Sequence, residues 1–134
     1  MAGGKSGNYF TIENIIFSFD LKPGEFVVYA YLRRCSNVKT GQAWPSYQTI
    51  ADAVNISRTS VARHVKALEE KGLLITEPTY WFDRSGSKMN GRRLFTLPPL
   101  SEVVENTIQR KIQEMEAHLE RERVQKKLAG QKRT

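Results

Sequence analysis

Residues Pro45 to Leu74 read PSYQTIADAVNISRTSVARHVKALEEKGLL, and their punctuation predicts two short helices joined by a tight turn. Ser46 is placed to cap the first of them, with Ile50, Ala51 and Val54 marking its inward face. Asn55 follows at once, and after glycine it is among the residues that take up left-handed backbone angles most cheaply. Ile56 plugs the turn. Ser57 caps the second helix, whose Val61, Val65 and Leu68 recur at spacings of four and three, the stripe of a helix that packs on a core.

The opposite side of that second helix carries the functional signal. At about 100° per residue, Thr59, Arg63, Lys66 and Glu70 lie away from the apolar stripe, with Ser60 and Ala62 on its shoulders. Hydroxyls and cations fill the first turns, and carboxylates appear only at Glu69 and Glu70. When a helix-turn-helix docks on DNA, the N-terminal residues of its second helix meet base edges and phosphates; here these are Ser57, Arg58, Thr59, Ser60, Arg63 and Lys66. A solvated basic face would look the same from this stretch alone, so the flanking sequence has to decide.

Gly72 is placed to stop the helix, and an apolar run from Leu73 through Phe82 predicts a strand. A polar segment, Asp83 to Gly91, leads to a second strand, Arg92 to Leu97, closed off by Pro98-Pro99. A helix-turn-helix followed by such a hairpin predicts a winged helix. Arg84, Lys88, Arg92 and Arg93 against the single Asp83 give the hairpin a positive tip suited to phosphates or the minor groove. The same cations would also guard a strand edge against aggregation. Upstream, Pro23 starts a first helix that runs to about Cys35 and is apolar nearly all round, so burial on more than one side is expected. Phe10 to Phe19 is dense in apolar residues without clean periodicity and predicts an extended lead-in. Trp44-Pro45 is expected to add a short edge strand, with Trp44 and Trp81 packing in the core or on the sheet.

The chain from about Tyr9 to Leu97 resembles the winged helix-turn-helix domains of bacterial plasmid, phage and integrative-element replication proteins. The segments that carry the resemblance are YFTIENIIF, LKPGEFVVYAYLRRCSN, TGQAWPSYQTIA and ISRTSVARHVKALEEKGLL. The resemblance implies sequence-specific binding of double-stranded DNA through the second helix of the motif, in replication initiation, with the host's replication proteins as further partners. It departs at the hairpin's return strand, where relatives often end in a Thr-Ser-Asn-x-Tyr pattern and this chain reads GRRLFTL. Two alternatives stand beside it. One is a transcriptional regulator with the same binding mode, and the other an interaction module that uses the C-terminal helix.

The 134 residues, 40% of them hydrophobic, suffice for one modest core. A formal charge of +7 favours a polyanionic partner, a bias shared with ribosomal and membrane-surface proteins. Cys35 stands alone, which excludes an internal disulfide and suits a reducing cytoplasm, the expected location. No apolar run approaches a membrane span. His64 and His118 have no partners at metal-ligand spacing, and neither a phosphate-binding glycine loop nor a nucleophile and base pair is visible, so no enzyme, metal or cofactor is expected.

The expected class is α+β, mainly α: a three-helix core with a β-hairpin wing, then a long C-terminal helix. Residues 1–8 are read as a disordered lead, 9–97 as the winged helix, 98–128 as the C-terminal helix and 129–134 as a basic disordered tail. In that helix Ile108, Ile112, Met115 and Leu119 form a seam about two heptads long. It reads equally as a homodimerisation helix or as a charged connector to a further domain.

Overall fold

The computed structural model describes residues 8–132, and of Lys132 only the backbone. Contacts divide the chain into two units, residues 1–100 and 101–134, taken here in turn. Helix α1 spans Pro23–Cys35, α2 Tyr47–Val54 and α3 Arg58–Glu70. Five short strands accompany them: β1 Gln42–Ala43, β2 Ile75–Glu77, β3 Tyr80–Phe82, β4 Lys88–Asn90 and β5 Leu94–Thr96. The order and pairing are those of a winged helix-turn-helix, as the sequence predicted. Among the described residues no helix is long and apolar enough to cross a membrane.

The turn between α2 and α3 works by the chemistry expected of it. Asn55 takes φ 61°, ψ 47°, and its backbone N–H and that of Ile56 both donate to the Ala51 carbonyl. One acceptor near the end of α2, the Ala51 carbonyl, thereby takes both bonds while the chain reverses. Ser57 Oγ then accepts from Ser60 N at 3.1 Å to open α3. At the far end Gly72, at φ 79°, closes α3: its N–H donates to Glu69 O, and the N–H of Leu73 donates to Leu68 O. Leu68 and Leu73 are both buried, the apolar contact that accompanies this kind of helix stop.

α1 packs against both α2 and α3. Val28, Tyr29 and Leu32 of α1 join Ile50 and Ala51 of α2 and Val61, Val65 and Leu68 of α3 in the core, with Phe95 and Leu97 below them. The expectation that α1 is covered nearly all round holds only in part. Val27 is exposed, and Phe26 is half-buried, stacked on the exposed Phe17 with ring centres 5.7 Å apart. Cys35 is half-buried.

A charge is buried at the start of α1. Glu25 reaches back to accept from Lys22 N at 3.1 Å, and Lys71 Nζ, from the end of α3, stands 2.7 Å from the same carboxylate oxygen. That ammonium also donates to the Asp20 carbonyl at 2.9 Å. Burial alone would raise the Glu25 carboxyl. The Lys71 and Lys22 hydrogen bonds and the charges of both lysines outweigh it, leaving the group below its ordinary value.

Several expectations need correction. The lead-in is a 3-10 helix over Asn14–Phe19, not an extended strand; Ile16 is its buried residue, and Asp20 in left-handed geometry ends it. Eclipsed i and i+3 positions put Ile16 and the half-buried Phe19 on one side, a spacing that a search for α or β periods passes over. The edge strand is Gln42–Ala43, one step before Trp44-Pro45, because Pro45 has no N–H to give a ladder. Trp44 is 48% and Trp81 54% exposed, so neither is a core residue.

The wing is also divided where a single hairpin was expected. β5 pairs antiparallel with β1 and β2, while β3 and β4 form a separate ladder. Pro78 cannot donate to a ladder, and it breaks the run from Leu73 to Phe82 in two. Lys88–Asn90, read as part of a loop, is the strand that answers β3.

In the second unit, α4, Leu100–Lys132, is 33 residues long, about 50 Å at 1.5 Å per residue. It passes through Gly130, so the tail expected to be disordered from residue 129 is helical to Lys132. One glycine costs about 1 kcal/mol, and the Lys, Leu, Ala and Gln around it are strong helix formers. Residues 1–7 of the expected disordered lead, and residues 133–134, lie outside the described residues.

Two outcomes follow for stability. Asn55→Gly is expected to be tolerated and Asn55→Val to destabilise by ~1–2 kcal/mol in urea titration, since a branched Cβ clashes in left-handed geometry. The lowered Glu25 value means that its pair with Lys71 contributes fully above the ordinary value of 4.5 and loses that contribution as pH falls through the folded-state value. Lys71→Met is expected to cost ~1–2 kcal/mol at neutral pH, solvent at Lys71 screening part of the pair. The same variant should flatten the acid limb of stability against pH.

Candidate nucleic-acid interface

The apolar stripe of α3 orients its other side. Val61, Val65 and Leu68 are each no more than 1% exposed, which leaves Arg58, Thr59, Arg63 and Lys66 facing solvent. Among the described residues no carboxylate lies within ion-pairing distance of Arg58, Arg63 or Lys66. Glu69, the nearer of the two late carboxylates, accepts from Thr76 Oγ1 at 2.9 Å and so belongs to the base of the wing. The first turn of α3 contains no acidic residue, and its unpaired N–H groups add to the positive potential there.

Two of the expected contact residues are engaged in the helix cap. Ser57 Oγ donates to Ser60 Oγ at 3.0 Å, and Arg63 Nη2 donates to the same Ser60 oxygen at 3.4 Å. Ser57 is exposed and Ser60 half-buried. The hydroxyls thus set the start of the helix and steady Arg63, while Arg58, Thr59 and Lys66 project without such ties. α2 presents a second capped terminus, where Ser46 Oγ accepts from Thr49 N at 3.0 Å and Gln48 and Thr49 are exposed. Sequence reading passed over these two, since exposed polar residues next to a cap carry no signal beyond capping.

The four wing cations are all exposed, in two places. Arg84 lies in the turn between β3 and β4, and Lys88 opens β4 with its Nζ 4.4 Å from the centre of the Tyr80 ring. Arg92 and Arg93 lie beyond β4, at the base of the ladder and not at its tip as expected, because residues read as loop form the additional strand Lys88–Asn90. Arg93 Nη2, from the residue just before β5, donates to Thr76 Oγ1 at 3.2 Å, which completes a chain through β2 to Glu69 of α3. Asp83 braces the turn and keeps its negative charge there, leaving the tip with two cations, Arg84 and Lys88, against one carboxylate. Its Oδ1 accepts from Ser85 Oγ at 2.6 Å and from Ser85 N and Ser87 N, each at 2.9 Å, and these bonds hold its carboxyl below the usual range.

Residues 20–74 match the family model described as a helix-turn-helix domain, which takes in α1, β1, α2 and α3 and ends before the wing. That match bears on the motif and does not separate a replication protein from a regulator. No curated protein matches the chain significantly. Solved structures similar to it include a possible transcriptional regulator from Methanosarcina mazei, at 18% identity over 84% of this chain and 86% of that one, with a TM-score of 0.46. The MepR–DNA complex of S. aureus is similar at 16% identity over 86% and 84%, TM-score 0.43. The YusO protein of Bacillus subtilis is similar at 18% identity over 85% and 78%, TM-score 0.39.

One close approach between α1 and α3 depends on a glycine. A Cβ at Gly24, near the start of α1, would collide with the His64 ring, so the two helices meet with imidazole against bare backbone. This gives His64, half-buried, a packing role. Alanine is ordinarily the better helix former by about 1 kcal/mol. Gly24→Ala is nonetheless expected to destabilise by ~1 kcal/mol, with His64→Ala restoring most of the loss; a double-mutant cycle in urea measures the coupling.

Proposed function

We propose that this chain binds double-stranded DNA sequence-specifically, with the first half of α3 in the major groove and the wing cations on neighbouring phosphates. The observation that carries this reading is the solvent-facing row Arg58, Thr59, Arg63 and Lys66, free of carboxylate partners and backed by a rigid apolar stripe. Arg63 and Arg58 are suited to guanine edges or phosphates, and Thr59 to either base edges or a thymine methyl. The exposed seam Ile108, Ile112, Met115 and Leu119 supports pairing of two copies through α4. With Ile112 and Leu119 at the first core position of each heptad, Lys111 and Glu116 fall where they face each other across a parallel pair.

Regulation of transcription needs only occupancy of a duplex site, and we place it first. Initiation of replication by a mobile-element protein is the second reading. It is supported by the resemblance in the lead-in, α1 and the TGQAWPSYQTIA link, and it requires contacts to host replication proteins besides.

Selection of bound sequences from a random duplex library, followed by binding titrations of variants, tests the proposal. Arg63→Ala and Lys66→Ala are expected to weaken binding to the selected duplex, by ~1–3 kcal/mol for a base contact or with a salt slope about one unit shallower for a phosphate contact. A paired α4 should yield inverted repeats about one DNA turn apart. Affinity unchanged in both variants would remove α3 from the mechanism.

A further inference from the structure

The β3–β4 ribbon presents more aromatic surface than duplex binding by α3 requires. Tyr80 is 58%, Trp81 54% and Phe82 62% exposed, three consecutive large rings in a strand with no buried face. Alternation along the strand puts Tyr80 and Phe82 on one side, edge to face at 5.7 Å, and Trp81 on the other, opposite Met89. Exposed aromatic surface of this extent marks a site of interaction.

The charges beside the rings identify the chemistry of the partner. Lys88 stands over Tyr80 and Arg84 lies in the adjoining turn, two cations against the Asp83 carboxylate that braces that turn, so the ribbon's tip keeps a net positive charge. Rings interleaved with cations suit a flexible polyanion that carries its own flat aromatic groups. A second copy of the ribbon would bring like charges together. A membrane presents a flat surface, whereas these rings face both sides of a ribbon.

We propose that the wing ribbon binds single-stranded DNA, stacking unpaired bases on Tyr80, Trp81 and Phe82 while Lys88 and Arg84 meet the phosphates. The ribbon is held ready at both ends. Gly91 N donates to Thr79 O at 2.8 Å and Thr79 Oγ1 donates to Arg92 O at its base, while Asp83 N donates to Ser87 O at 3.0 Å at its turn. Stacking on such a platform tolerates any sequence, because every base has a π face. The aromatic platform stands independently of the duplex reading, while Arg84 and Lys88 are cations that both readings use. Together the two sites would let one chain hold a duplex and the unpaired strand next to it.

The test uses the full chain, a fluorescent oligothymidylate, the matching oligouridylate and a selected duplex, all titrated at one salt concentration. In a Trp44→Phe background, oligothymidylate is expected to quench the emission of Trp81. Joint replacement of Tyr80, Trp81 and Phe82 by Leu, which keeps the strand apolar, is expected to weaken oligothymidylate binding by about tenfold or more while duplex affinity stays within about twofold. Arg63→Ala should show the reverse pattern. Should the triple replacement unfold the wing, Trp81→Leu alone is expected to weaken oligothymidylate binding with the duplex affinity kept. Unquenched Trp81 emission, oligothymidylate affinity unchanged by these replacements, tighter binding of oligouridylate, or binding of anionic vesicles in place of the oligomer would overturn the proposal. Oligothymidylate binding without any duplex binding would leave it standing and sink the duplex reading instead.

Discussion

The outward face of α3 is positioned by the burial of its other side. Val61, Val65 and Leu68 are enclosed by α1 and α2, and a rotation of the helix by one residue would bring polar groups into that space. Each such side chain contributes roughly 1.5–3 kcal/mol by leaving water, and an unpaired guanidinium in their place would cost far more than it could recover. Arg58, Arg63 and Lys66 are therefore held outward by what lies beneath them. The Ser57 cap and the Gly72 stop set the length of helix over which this holds.

The ends of α3 are tied to the rest of the fold by polar links with a division of labour. Lys71 joins its C-terminus to Glu25 and to the Asp20 carbonyl, and Glu69 joins it through Thr76 to Arg93 at the base of the wing. Glu69 thus serves the architecture, and among the described residues no ion pair cancels the cations in the first half of α3. The wing and the helix-turn-helix are in this way parts of one hydrogen-bonded frame.

What could be read from the sequence was whatever has a local cause. Ser46, Asn55, Ser57 and Gly72 act through their own backbone and nearest neighbours, and the structure places each in the predicted role. The α3 stripe was equally legible, because four- and three-residue spacings in a thirteen-residue helix admit few other readings. Strand register was not. Where β4 begins is decided by which residues oppose Tyr80 to Phe82 across a turn, a pairing that composition does not specify. Partner choice was also hidden: nothing local marks Glu25 and Lys71 as a pair, since they are far apart in the chain and meet only when α1 crosses α3. The exposure of Trp81 escaped for a related reason. Aromatic residues in strands usually have a core to face, and this ladder has none.

The break at Pro78 also shapes how the chain behaves before and after folding. Leu73 to Phe82 is rich in aliphatic, aromatic and threonine residues, and as one uninterrupted edge it would offer a template for other chains to add to. Cut into two three-residue pieces, with Arg84 and Lys88 beyond and Arg92 and Arg93 alongside, it presents no edge long enough to recruit a neighbour. The proline that splits the wing thus also acts as a gatekeeper, keeping three bare aromatic rings on a strand too short to template another chain.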